Sequence, residues 1–100
     1  MAKHVQALAT LDRTIHEPAR LMLVMLLSAV KRADFLFLER ESGLTKGNLS
    51  AHLSKLEKAG YVAIEKTFKG KYPLTVCSLT PQGRQALASY RRSLEAAFSE

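Results

Sequence analysis

The sequence predicts a mainly α fold carrying one β-hairpin. Apolar residues recur at three- and four-residue spacing before residue 60 and again after residue 81. Between 61 and 79 that period is lost and strand-forming residues take over. Residues with cap or breaker character, Glu17-Pro18, Asp34, Gly43, Thr45, Gly60 and Thr80-Pro81, fall at the joins.

The elements follow in order. Val5, Leu8, Leu11 and Ile15 fit a short amphipathic helix over 4–15. Glu17-Pro18 opens a second helix reaching about Arg32, because proline suits the first helical position. Its residues Leu21–Leu27, with Ala29 and Val30, are apolar nearly all round, which predicts a central buried helix with Met22 and Met25 as core filler. Asp34 can cap a third helix over 35–42, although Phe35–Leu38 alone fits a strand equally well. Gly43 stops it. Thr45 caps a fourth helix, 46–59, with a narrow stripe of Leu49, Leu53 and Leu56. Residues 61–68 and 74–79 read as the strands of a hairpin with a basic tip, Lys69-Gly70-Lys71-Tyr72-Pro73. Thr80-Pro81 opens a last helix to about Phe98. The order is α-α-α-α-β-β-α, a single domain over 1–100, with no internal repeat or low-complexity tract.

Composition narrows the function. At 47% hydrophobic and 24% charged the chain is an ordinary globular protein rather than a disordered one. The longest apolar run, Leu21–Leu27, is far short of the roughly 20 residues a bilayer span needs. The first residues have no secretion-signal pattern, and the lone Cys77 makes no internal disulfide, so a cytoplasmic location is expected. Cys77 lies two positions before Leu79, hence on the same side of its strand, and is expected to be a buried hydrophobe rather than a redox sensor. His4, His16 and His52 are too scattered for a metal site, and no cofactor or small-molecule effector is indicated. There is no phosphate loop, nucleophile elbow or catalytic carboxylate pair, so no enzyme is expected.

Charge supplies the positive evidence. The net charge is +6, and residues 44–84 hold seven basic side chains against two acidic ones. A concentrated positive charge suits a polyanion, nucleic acid before membrane, although lysines also serve solubility. Two helices joined by Gly43-Leu44-Thr45 and followed by a hairpin are the arrangement of a winged helix-turn-helix. With Leu49, Leu53 and Leu56 turned inward, Gly47, Ala51, Ser54 and Lys58 face outward, flanked by Asn48, Ser50 and Lys55. Small residues allow close approach to base edges; Asn48 can pair with adenine, and Ser50 and Ser54 can bond bases or phosphates. Lys46, Lys55, Lys69 and Lys71 suit phosphates, as Lys58 does unless it only complements its helix dipole. Arg84 stands in a first helical turn, where the dipole disfavours a cation, so it should have a partner, a phosphate or a carboxylate. His52 lies off the apolar stripe and is expected to be half-buried.

The run Asp34-Phe35 with Gly43–Val62, together with Leu79-Thr80-Pro81-Gln82-Gly83-Arg84, resembles the winged-helix transcriptional regulators of the MarR (multiple antibiotic resistance) and ArsR (arsenic repressor) group, in a small single-domain branch. The resemblance covers about Leu11 to Leu94. It implies a prokaryotic regulator, acting as a homodimer on a palindromic site in double-stranded DNA, with helix 46–59 in the major groove and wing 66–74 on the flanking backbone. The DNA-contacting set is then Thr45, Lys46, Gly47, Asn48, Ser50, Ala51, Ser54, Lys55, Lys69, Lys71 and Arg84. Repression by promoter occupancy is expected. The chain departs from the group's pattern in having Leu74, not a basic residue, after Pro73, and in lacking paired metal-sensing cysteines. The apolar stripes of the first and last helices, Val5, Leu8, Leu11 and Ile15 with Leu87, Tyr90, Leu94 and Phe98, are expected to form the dimer interface. The rival function is a winged helix used for protein–protein contact.

Overall fold

A computed structural model describes residues 2–99; the two end positions of the single domain expected over 1–100 lie outside them. Helix α1 (Ala2–Val5) runs into a 3-10 turn (Gln6–Thr10), then come α2 (Pro18–Ser28), strand β1 (Ala33–Asp34), α3 (Phe35–Ser42), α4 (Lys46–Lys58), β2 (Val62–Lys69), β3 (Tyr72–Leu79) and α5 (Pro81–Phe98). The fold is the expected mainly α winged helix-turn-helix, with three corrections to its elements.

The helix expected over 4–15 stops at Thr10. Asp12 is responsible: its Oδ1 accepts the N–H groups of Thr14 (2.9 Å) and Ile15 (3.3 Å), giving the backbone a turn in place of a helix. The second helix ends at Ser28, not near Arg32, because the chain must extend to place Ala33 opposite Cys77 and Asp34 opposite Val76. That pairing adds a two-residue strand to the hairpin and makes a three-stranded antiparallel sheet of order β1-β3-β2. The hairpin turn is tighter than the five-residue tip expected, since Lys69 pairs with Tyr72 across only Gly70 and Lys71.

The sequence-read caps are in place. Glu17, Asp34, Thr45 and Thr80 each accept a backbone N–H from the first turn of their helix, at 3.0, 2.8, 3.2 and 2.9 Å. Helix α4 closes with Gly60 at φ +84, the N–H of Gly60 on the Glu57 carbonyl and that of Tyr61 on the Leu56 carbonyl, the paired bonds of a Schellman end. The chain then runs through the hairpin and returns, so that the cap of α5 meets this end of α4. The Thr80 hydroxyl donates to the Gly60 carbonyl at 2.6 Å and the Thr80 N–H to the Tyr61 carbonyl at 3.0 Å. A Cβ on Gly83 would meet the Tyr61 carbonyl oxygen at 2.2 Å, so the leucine-threonine-proline-x-glycine segment is where α5 crosses the end of α4 in backbone contact.

Two apolar clusters hold the molecule. The larger joins Leu23, Val24 and Leu27 of α2 to Leu38, to Leu49, Leu53 and Leu56 of α4, and to Val62, Cys77 and Leu79 of the sheet. Only one face of α2 is buried; Met25 is exposed, so it is not core filler as its apolar run suggested. The smaller cluster is Leu11, Ile15 and Tyr90, with Leu21, Tyr61 and Leu94 against it. This corrects the expected dimerisation stripe. Leu11, Ile15 and Tyr90 are buried within their own chain and Leu87 packs on the main core, whereas Val5, Leu8 and Phe98 stay exposed. The side chains of Asp12 and Tyr61 seal the cluster, with the phenol donating to the carboxylate. That bond, then burial, pushes the Tyr61 phenol up to about 12.

The molecule is elongated, 58 × 25 × 21 Å, with a radius of gyration of 15.2 Å. A compact 100-residue domain has about 13 Å. The excess comes from the end of α5 and the residues of α1 beside it, which extend past the winged-helix core.

Cys77 is fully buried, as expected. Burial pushes its thiol up to about 11, with the Glu57 carboxylate adding to the shift. Native protein at pH 7.5 should therefore react with a thiol reagent only at the rate of unfolding, and Cys77→Ser should bind its ligand as the wild type does. Rapid labelling without denaturant would contradict this.

Candidate nucleic-acid interface

Helix α4 presents a core face and an open face. Leu49, Leu53 and Leu56 are 0–2% exposed. At about 100° per residue the opposite face carries Gly47, Ala51 and Lys58, all exposed. Thr45, Lys46, Asn48, Ser50 and Lys55 are exposed as well, and Ser54 is half-buried. The first ten DNA-contacting residues expected from the sequence thus lie on α4, its cap, or the tip of the wing.

The two flanks of α4 face different neighbours. Ser50, Ser54 and Glu57 line a groove whose other wall is Ile64 and Lys66 of β2 and Thr75 of β3. Lys66 was not among the expected contacts. The period-two pattern could have found it: Val62 and Ile64 turn toward the core, so Lys66 turns the same way, toward the helix. Beyond it Lys69 and Lys71 are exposed at the tip, beside Phe68 (69% exposed) and Tyr72 (77% exposed).

The other flank, Asn48, His52 and Lys55, faces the start of α2. His52 is half-buried, as expected. Its Nδ1 lies 3.2 Å from the Arg20 guanidinium, which can only donate, so Nδ1 accepts and Nε2 carries the hydrogen, toward Glu17 at 3.8 Å. His52 thereby locks α4 to α2.

Arg84 is the exception among the expected contacts. Its guanidinium donates to the Ser28 carbonyl at 3.3 Å, at the end of α2, in a groove with Leu87, Arg91 and Arg92. A cation at a helix C-terminus is favourable. This carbonyl is a partner for Arg84 in its unfavourable first-turn position; among the described residues no carboxylate lies within 4.0 Å of the guanidinium, and its groove holds no residue of α4 or of the wing tip.

Among the described residues no three His, Cys, Asp or Glu side chains converge as a metal site, and no helix is long and apolar enough to cross a membrane.

An exposed, cation-flanked helix of small residues beside a basic hairpin is the arrangement of a winged helix. The profile of the family described as winged helix DNA-binding domain matches residues 19–98, and the chain belongs to that family. An uncharacterized protein of Methanocaldococcus jannaschii is 36% identical over 72 residues, 71% of this chain and 77% of that one. A transcriptional regulator homologue from Pyrococcus horikoshii OT3 has a similar structure, with TM-score 0.85 and 28% identity over 91% of this chain and 92% of the other. A protein described as a MarR-family regulator, from Enterococcus faecalis V583, shares the fold with TM-score 0.74 at 23% identity, over 90% and 81% of the two chains. ArsR-family regulators share the fold as well. The chain is thus a winged helix DNA-binding domain, and it shares its fold with proteins described as MarR- and ArsR-family regulators.

Proposed function

We propose that this protein binds a palindromic DNA site as a homodimer and represses transcription by occupying promoter DNA, in the cytoplasm of a prokaryote. The observation that carries the reading is the open face of α4, where Gly47 and Ala51 leave room for base edges between Asn48 on one flank and Ser50 and Ser54 on the other. Lys46 at the exposed start of α4, Lys55 on its flank, and Lys66, Lys69 and Lys71 on the wing then meet phosphates. Selection from a random duplex pool tests it. A two-fold symmetric consensus is expected, and Asn48→Ala or Ser50→Ala should change the preferred bases rather than merely weaken binding. Recovery of no consensus would favour the protein–protein alternative.

The dimer half of the reading rests on what the fold leaves uncovered. Val5 (53% exposed), Leu8 (45%) and Phe98 (80%) are exposed on the elongated arm of α1, the 3-10 turn and α5, with Leu94 half-buried beside Phe98. Pairing two arms about a two-fold axis covers these side chains and lets two α4 helices meet major grooves about 34 Å apart. Sedimentation at micromolar concentration should give a species of twice 11.1 kDa. Leu8→Asp/Phe98→Asp should give a folded monomer with much weaker DNA binding. A wild-type monomer would refute the dimer.

A further inference from the structure

Residues far apart in the sequence converge on a second basic surface. Arg13 and Thr14, from the turn before α2, meet Lys55, Lys58 and Ala59 at the C-terminal end of α4, with Arg20 beneath them. The turn is held from behind. The Arg20 guanidinium donates to the Thr14 carbonyl at 2.6 Å, to the Arg13 carbonyl at 3.4 Å and to His52 Nδ1 at 3.2 Å. Arg20 is thus occupied internally, and what it positions is the backbone that carries Arg13. The side chains of Arg13, Lys55 and Lys58 are exposed, and among the described residues no carboxylate lies within 4.0 Å of their charged nitrogens. The nearby acids are committed elsewhere: Glu17 caps α2 and faces His52, and Glu57 lies on the wing side of α4. Three like charges held around one concavity without a counter-ion repel one another, and an anionic partner relieves that repulsion.

Position identifies the anion. This concavity flanks α4 on the side opposite the groove of Ser50, Ser54, Lys66 and Thr75. A helix lying in a major groove has one phosphate backbone on each side. We propose that Arg13, Lys55 and Lys58 form a second phosphate clamp, which grips the DNA strand across the major groove from the strand held by the wing. The domain then straddles the groove and uses the turn before α2 as a contact element. Arg13 enters the interface although it lies outside both the recognition helix and the wing, and Lys58 acts as a phosphate ligand and not only as a partner of its helix dipole.

The inference rests on α4 lying in the major groove, and the experiment separates the two. Wild type, Arg13→Gln, Lys58→Gln and the double variant of the full chain are titrated with the selected duplex across a salt series. Each phosphate contact removed should flatten the log–log salt slope by about 0.9 and lower affinity at 0.1 M salt by about 0.9 log unit. The consensus should stay the same, since backbone contacts carry no base information. Chemical ethylation of individual DNA phosphates should show the double variant losing sensitivity on one strand, and Lys69→Ala/Lys71→Ala losing it on the other. Wild type that binds while Arg13→Gln/Lys58→Gln keeps its slope and affinity overturns the clamp and leaves the major-groove reading standing. A changed consensus in the double variant also overturns it, by making these residues base contacts. Wild type that binds no duplex overturns both. All three side chains are exposed, so thermal melts should match, and any variant that melts early is replaced by Arg13→Ala or Lys58→Ala.

Discussion

Replacing Lys46, Lys55, Lys69 and Lys71 together by alanine is expected to lower affinity for duplex DNA by about 10³-fold or more at 0.1 M salt. These four lysines are exposed, and none is within 4.0 Å of a carboxylate among the described residues, so the folded chain loses little with them. Seven cations per subunit stand near phosphates, and if about half of them, three or four, are neutralised at once, a dimer gives the wild type a log–log salt slope of about −5 to −7. The variant keeps three of the seven, Arg13, Lys58 and Lys66, and its slope should fall to rather less than about half of that. The effect should be equal on matched and scrambled duplexes, because phosphates are the same in both. Full binding by the variant would remove α4 and the wing from the DNA interface altogether.

Gly83→Ala should cost about 3 kcal/mol of stability, the upper end of overpacking effects, and lower the melting temperature by roughly 15 °C. The new Cβ would sit 2.2 Å from the Tyr61 carbonyl oxygen and 2.8 Å from Leu79 Cδ1. Neither neighbour is free to move. The carbonyl accepts the Thr80 N–H at 3.0 Å, and Leu79 is in the main core. The matched control is Gly47→Ala, also in a helix, where a Cβ meets nothing within 4 Å. That substitution should raise stability, by up to about 1 kcal/mol, through helix propensity alone. Thermal melts of both variants decide the point: equal effects would mean that the α4–α5 crossing is looser than described. DNA binding by Gly83→Ala at a temperature where it is folded should be near wild type, since Gly83 is buried away from α4's open face.

Much of this molecule was legible in short stretches of sequence. Caps act on the next turn, and an apolar stripe repeats within one helix, so Glu17, Asp34, Thr45, Gly60 and Thr80 marked their boundaries without any knowledge of the fold. The inward leucines of α4 determined which of its residues face out, and the charge of residues 44–84 pointed to a polyanion. The buried Cys77 followed from strand alternation alone. What the tertiary structure decided were partnerships between distant segments. Ile15 has the spacing of a surface stripe, yet Tyr90 covers it. Ala33-Asp34 is too short to read as a strand and becomes one only because β3 offers an unpaired edge. Arg84 announced that it needed a partner, but the Ser28 carbonyl, 56 positions away, could not be named from the sequence. Arg13 belongs beside Lys55 and Lys58 only once Arg20 has tied its turn to α2 and His52 has tied α4 to Arg20. Local rules fix the conformation of each segment through bonds a few residues long; which side chains meet across segments depends on how the apolar faces pack, and that is a property of the whole chain.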